Sequence, residues 1–166
     1  MRFSPSAACA YQATVIGGAA LQLMGVIDRP TKDCDVLDPE LPPDVVKAAD
    51  DYAATLGGSL SPGWFNNGPI SVTRTLPADW TSRVRLLYSG EAIVLRTLGR
   101  EDLLRSKLFA LVDRNIDQPD CVALKPARQE LHALLPWLDD QDGNEQWPDY
   151  VRVVLGRLAQ DLGYEL

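Results

Sequence analysis

The chain has 166 residues, 46% of them hydrophobic and 23% charged, enough apolar material for one sizeable core and too short for two full domains. Sixteen Lys and Arg stand against 23 Asp and Glu, a formal charge of -7, which is the wrong sign for a broad sequence-independent grip on nucleic acid. No apolar run approaches the ~20 residues of a membrane helix, and the first residues lack the charged and apolar blocks of a signal peptide, so the chain reads as cytoplasmic with no membrane partner.

Ala13 to Ile16 leans to strand and ends at Gly17-Gly18, after which Ala19, Ala20, Leu21, Leu23 and Met24 suit a helix of about two turns, stopped at Gly25. Arg29-Pro30-Thr31-Lys32 leads into a second strand, Asp33 to Leu37, whose period of two puts Asp33 and Asp35 on one face and Cys34 with Val36 on the other. Pro42-Pro43-Asp44 opens a helix with Val45, Val46, Ala49, Ala53 and Leu56 at helical spacing, closed by Gly57-Gly58. Ser59 to Gly68 reads as a loop whose Trp64 and Phe65 either stack on a base or plug the end of the sheet. Three β-type runs, Ile70 to Leu76, Arg83 to Tyr88 and Ala92 to Leu98, predict an antiparallel extension of the sheet. Helices are predicted over Glu101 to Val112, Asp120 to Leu124, Ala127 to Leu138 and Pro148 to Leu162, with Trp137 and Trp147 as packing anchors and Asp139 to Asn144 the most linker-like stretch.

The residue inventory points the chemistry at carboxylates. Cys9, Cys34 and Cys121 are odd in number and lack metal-ligand spacing, so they read as reduced and mostly buried. His132, the single histidine, reads as an ordinary helix-surface residue, which disfavours a Ser-His-Asp triad. By contrast, Gly17-Gly18 between a strand and a helix lets a phosphate approach the backbone closely. Asp33 and Asp35 on a neighbouring strand can hold Mg²⁺, which takes oxygen ligands and completes its shell with substrate phosphates and water. Each feature alone has a plainer reading: a tight turn for the glycines, a solvated strand edge for the acids. Arg29 and Thr31 either cap the strand and pair with Asp33, or meet phosphate and orient the acids. Lys107 interrupts an apolar stripe, so it either snorkels to solvent or faces a cleft. Arg114, Asp117 and Asp120 read first as a structural salt-bridge cluster at a helix end.

Taken in order, Val15-Ile16-Gly17-Gly18-Ala19-Ala20 and then Arg29-Pro30-Thr31-Lys32-Asp33-Cys34-Asp35-Val36 resemble the polymerase-β-like nucleotidyltransferase superfamily, with its Gly-Gly or Gly-Ser turn followed by an Asp-x-Asp strand. The string Gly-Gly-Ala-Ala, then Arg-x-Thr-x-Asp-x-Asp-Val, with Glu101-Asp102-Leu103 to Lys107 and on to Arg114 downstream, is most similar to the bacterial AbiEii-type toxin nucleotidyltransferases and their uncharacterised relatives. The resemblance covers roughly Ala13 to Leu124.

That resemblance implies an α/β (α+β) nucleotidyltransferase fold, a mixed, mostly antiparallel sheet flanked by helices. It divides the chain into a core over 1–100, with the Gly-Gly and Asp-x-Asp motifs, and a small helical region over 101–166 packed on that core as a single unit. It further implies Asp33 and Asp35 as catalytic metal ligands, Gly17, Gly18, Arg29, Thr31 and Lys107 as nucleotide-binding residues, Mg²⁺ or Mn²⁺ as cofactor, and transfer of NMP from an NTP to a hydroxyl of a protein, RNA or small molecule, in a toxin or phage-defence role. tRNA is among the acceptors left open. The length leaves little room for an acceptor-binding domain, which points to an antitoxin or other protein partner, or a second copy of the chain. One departure stands out: active members add a third carboxylate on a later strand, and the runs from Arg83 and Ile93 contain none. Glu91 is the nearest candidate, Asp117 and Asp120 the more distant ones. The alternative function is therefore a degenerate protein that binds a nucleotide or partner without turnover.

Overall fold

The computed structural model describes residues 10–166, so Cys9 lies outside the described residues. Strand β1 (Tyr11–Ile16) holds the centre of a five-stranded sheet of order β3-β2-β1-β5-β4, with β2 at Cys34–Asp38, β3 at Phe65–Asn66, β4 at Arg85–Ser89 and β5 at Ile93–Thr97. A central strand is covered on both faces, and accordingly Ala13 to Ile16 are all buried. β1 runs antiparallel to β2 and parallel to β5, β2 runs parallel to β3, and β4 runs antiparallel to β5. The sheet is therefore mixed, divided evenly between the two kinds of pairing, where a mostly antiparallel one was expected.

Among the described residues six α-helices accompany the sheet: α1 (Gly17–Leu23), α2 (Pro43–Thr55), α3 (Arg100–Arg114), α4 (Gln118–Leu124), α5 (Arg128–Asp139) and α6 (Trp147–Asp161). Val15 and Val36, partners across β1 and β2, pack on one face with Phe65 and Leu41 beneath Val45, Val46 and Ala49 of α2. Ile16, Leu37 and Leu98 lie in the other core with Leu104, Leu108 and Leu111 of α3 and the apolar stripes of α4 to α6. Trp137 and Trp147 act as anchors there: their indole N–H groups donate to the carbonyls of Thr75 at 3.1 Å and Leu138 at 2.8 Å.

Two expectations need correction. Ile70 to Arg74 is a 3₁₀ turn, followed by a second over Trp80–Arg83. The segment lies between Pro69 and Pro77, and the hydroxyls of Thr73 and Thr75 donate to the carbonyls three residues back, at 2.7 and 2.9 Å. Side-chain-to-backbone bonds of that kind compete with a strand ladder, so the β-branched composition is overridden. The second correction is β3, placed within what reads as a loop. Two residues are too few to show a period; what builds the strand is the neighbour β2, through Cys34 N–H donating to the Trp64 carbonyl at 2.6 Å and the register Asp35 to Asn66. Phe65 is buried and the Trp64 indole donates to the Ala49 carbonyl at 2.9 Å, so both aromatics serve packing. No helix among the described residues is long and apolar enough to cross a membrane.

Candidate functional site

The face of β2 that carries Leu37 also carries Asp35, and α3 lies over that face. The acid pair therefore opens into a cleft of about 570 Å³ where β1 ends, with Gly17, Asp33, Asp35, Lys107 and Asp117 among its lining residues. Gly17 adopts φ +75°, a conformation that suits glycine, and a Cβ built there would stand 2.7 Å from Asp35 Oδ2. A Cβ on Gly18 would stand 3.1 Å from Thr31 Oγ1. The two glycines thus make room for the two side chains of the Arg-x-Thr-x-Asp-x-Asp string that the turn must admit. This physically couples the two motifs.

Thr31 Oγ1 donates to Asp33 Oδ1 at 2.9 Å, which orients the exposed Asp33 just ahead of the strand. Arg29 turns away from Asp33 and pairs with Asp120 Oδ1 at 2.7 Å. Asp35 is half-buried, and its carboxyl is pushed up by that burial and by the neighbouring Asp33 charge, against the opposing pull of Asn66 and Lys107. On the opposite face of β2, burial first and then the charges of Asp35 and Asp33 push the Cys34 thiol up to about 12.

Lys107 does not snorkel. It is 5% exposed, and its ammonium donates to Asp120 Oδ2 at 2.8 Å and Asp117 Oδ2 at 3.1 Å at the wall of the cleft. Asp120, 1% exposed, would be raised by burial, yet hydrogen bonds from Lys107 and Arg29 outweigh this and hold it below the usual carboxylate range. Asp117 is delivered by a sharp link between α3 and α4 in which Asn115 and Asp117 take φ of 52° and 69°. Arg114 remains outside this network, 3.8 Å from Asp113. The acids at +10 and +13 from Lys107 are the sequence signal for this cluster, although helix spacing alone does not reveal that Arg29 joins it from 91 residues away.

Glu91 does not reach the site. It lies two residues before Ile93 of β5, which runs parallel to β1 with Ile93 beside Tyr11, so it sits at the far end of the strand, about 20 Å or more from Gly17 at ~3.3 Å per residue. No group of three or more His, Cys, Asp or Glu suited to a metal ion occurs among the described residues, and Asp117 and Asp120 are paired with Lys107 and Arg29. The position beside Asp35 on the next strand is held by Asn66. Mg²⁺ binds through one or two carboxylates with phosphate and water filling the shell, and the mutually repelling pair Asp33 and Asp35 fits that donor set. A larger cavity, about 670 Å³, opens between β4, α3 and α5. Of its arginines, Arg83 and Arg100 already bond Asp102 and Glu130.

A family model described as a nucleotidyltransferase of unknown function (DUF6036) matches residues 6–123, a span that includes the Gly-Gly turn, both strand acids, Lys107, Asp117 and Asp120. No curated protein and no solved structure matches the chain.

Proposed function

The chain belongs to the DUF6036 nucleotidyltransferases, and from that premise we propose that its cleft transfers a nucleotidyl group from a nucleoside triphosphate to a hydroxyl acceptor in the presence of Mg²⁺ or Mn²⁺. The observation that carries this is the pair of ionisable carboxylates, Asp33 and Asp35, which form no salt bridge among the described residues, beside the open Gly17-Gly18 turn. In the reaction the acceptor oxygen attacks the α-phosphorus and pyrophosphate leaves in line. A divalent ion, when bound by Asp33 and Asp35, supplies charge neutralisation at the phosphates. Thr31 holds Asp33 in orientation, while Lys107 and Arg29 present positive charge at the wall opposite the acids. Both are tied to Asp120, so their share in phosphate binding requires part of that pairing to yield, and the exposed Arg29 is the one free to move.

The acceptor is a protein, an RNA such as tRNA, or a small molecule. The resemblance to AbiEii-type toxins favours a toxin or phage-defence role with an antitoxin-like partner. The test is incubation of the purified chain with each labelled NTP, Mg²⁺ or Mn²⁺, and lysate or tRNA, beside Asp33→Asn. Labelling that requires Asp33 supports transfer; its absence, or its survival in the variant, overturns it. A second reading, nucleotide binding without turnover, is favoured by the missing third acid. Calorimetry showing tight MgATP binding by a chain that labels nothing would select it.

A further inference from the structure

We propose that Ser71 is an acceptor built into the cleft: the chain transfers one nucleotidyl group to this hydroxyl and thereby closes its own site. The inference rests on the transfer reading above and names a hydroxyl that the chain itself supplies.

The side-chain hydroxyls that line the cleft are those of Thr31, Ser71 and Ser106. Two of them are committed. Thr31 donates to Asp33 Oδ1 at 2.9 Å, and Ser106, on α3, donates back to the Leu103 carbonyl at 2.8 Å. Ser71 is exposed and forms no side-chain hydrogen bond among the described residues, whereas Thr73 and Thr75 in the same segment donate to the carbonyls of Ile70 and Val72. Its hydroxyl therefore keeps both its proton and its lone pairs for a reactant.

The 3₁₀ turn that carries Ser71 is fixed to the acid strand. Just ahead of it, the Asn67 NH₂ group donates to the Val36 and Pro39 carbonyls, both at 3.0 Å, and Asn67 Oδ1 accepts from the Leu41 N–H at 2.6 Å. The Ile70 N–H donates to the Asn67 carbonyl at 3.1 Å, and the turn packs on β2. Ser71 is thus held against the strand of Asp35, in the same cleft as Gly17 and Asp33. One hydroxyl confined to about 570 Å³ stands at about 3 M, far above the micromolar to millimolar level of a free acceptor. It has the advantage over any hydroxyl that the cleft does not bind.

In the step, Ser71 Oγ attacks the α-phosphorus of the nucleoside triphosphate. The Oγ–P bond forms as the bond from that phosphorus to the bridging oxygen breaks, pyrophosphate leaves with the electron pair, and the hydroxyl proton passes to water. The product is a phosphodiester anion bearing a nucleoside, in the volume that a second triphosphate needs. Modification is therefore self-limiting at one nucleotide per chain.

The experiment incubates the purified full chain with each NTP and Mg²⁺ or Mn²⁺, without added acceptor, and reads intact and peptide masses. Wild type should gain one nucleotidyl group on Ser71, at a rate per chain that does not change on tenfold dilution. Ser71→Ala should lose the modification while unfolding in urea like wild type, and Ser106→Ala, whose hydroxyl is tied to its own helix, should keep it. The modified chain should bind fresh MgNTP about tenfold more weakly or worse in calorimetry. Modification at another residue, or its survival in Ser71→Ala, overturns the assignment, and a rate per chain that falls with dilution refutes attack within one cleft. Undiminished MgNTP binding by the modified chain refutes closure. A chain that stays unmodified while it labels tRNA or lysate defeats this inference and leaves the transfer reading standing. A chain that labels neither itself nor any acceptor removes both.

Discussion

Replacing Lys107 with methionine separates what this residue does for the fold from what it does for the cleft. The side chain is 5% exposed and shares its ammonium between Asp120 at 2.8 Å and Asp117 at 3.1 Å. Removing one member of a buried ion pair generally costs about 3–5 kcal/mol, because it leaves a desolvated charge without a partner. Here two features soften the loss: Asp120 keeps Arg29 at 2.7 Å, and the Asp117 side chain is 27% exposed and can be hydrated. The expected cost is therefore about 2–3 kcal/mol, below the full range, or about 4–12 °C in melting temperature for a chain of this size. Lys107→Met with Asp120→Asn replaces a broken pair by two neutral groups, so urea unfolding of the wild type, both single variants and the double variant should give a coupling energy of about 2 kcal/mol. Nucleotidyl transfer should be lost in Lys107→Met and should stay lost in the double variant even as stability returns. Strictly additive single effects would refute the buried-pair argument, and restored activity in the double variant would refute a part for Lys107 in the cleft.

Gly17→Ala forces a Cβ into φ +75° and to 2.7 Å from Asp35 Oδ2; it should cost about 1–3 kcal/mol in urea unfolding and abolish labelling, and a variant that folds and labels like wild type would contradict the coupling of turn and acid. Hydrogen bonding from Arg100 holds the Glu130 carboxyl below its usual range, so the pair's contribution is present above the unfolded value near 4.5 and is lost as pH falls through the lower folded value. Glu130→Gln should accordingly be less stable than wild type at neutral pH by about 0.5–1 kcal/mol, the scale of a solvent-screened pair, with the gap closing in acid when denaturation is followed against pH. Cys34 and Cys121 are buried, and burial pushes both thiols up to about 12; neither should react with a disulfide reagent at pH 8 in the folded chain, and both should in urea, as peptide mass spectrometry would report.

The parts of the fold that repeat with a clear period are the ones visible in the chain. The strand before Gly17, the acid strand and helices α2, α3, α5 and α6 each carry an apolar pattern long enough to identify. The segment after Pro69 misleads because Ile70, Val72, Thr73 and Thr75 are β-formers by composition, and only their hydroxyl bonds to local carbonyls reveal the 3₁₀ turn. β3 is invisible for the opposite reason: its two residues have no pattern, and β2 imposes the strand on them. Within the cleft, Gly17, Gly18, Thr31, Asp33, Asp35 and Lys107 are all recognisable by type and order. The partnership of Arg29 with Asp120 is not, since it is set by how distant elements are laid side by side.

That tertiary layout also changes what the acidic composition means. Five carboxylates, from Asp33, Asp35, Asp113, Asp117 and Asp120, face the cleft against three cationic side chains, Arg29, Lys107 and Arg114. Asp120 and Asp117 absorb Lys107 and Arg29, and Arg114 lies nearest Asp113, so the uncompensated charge falls on Asp33 and Asp35. A bare triphosphate entering this cleft meets a net negative lining, and like charges in a partly desolvated site repel more strongly than in water. On the proposed reading, a divalent cation is then a condition of nucleotide binding as well as of transfer. The acid pair that repels the free polyanion becomes its anchor once the ion is shared between them.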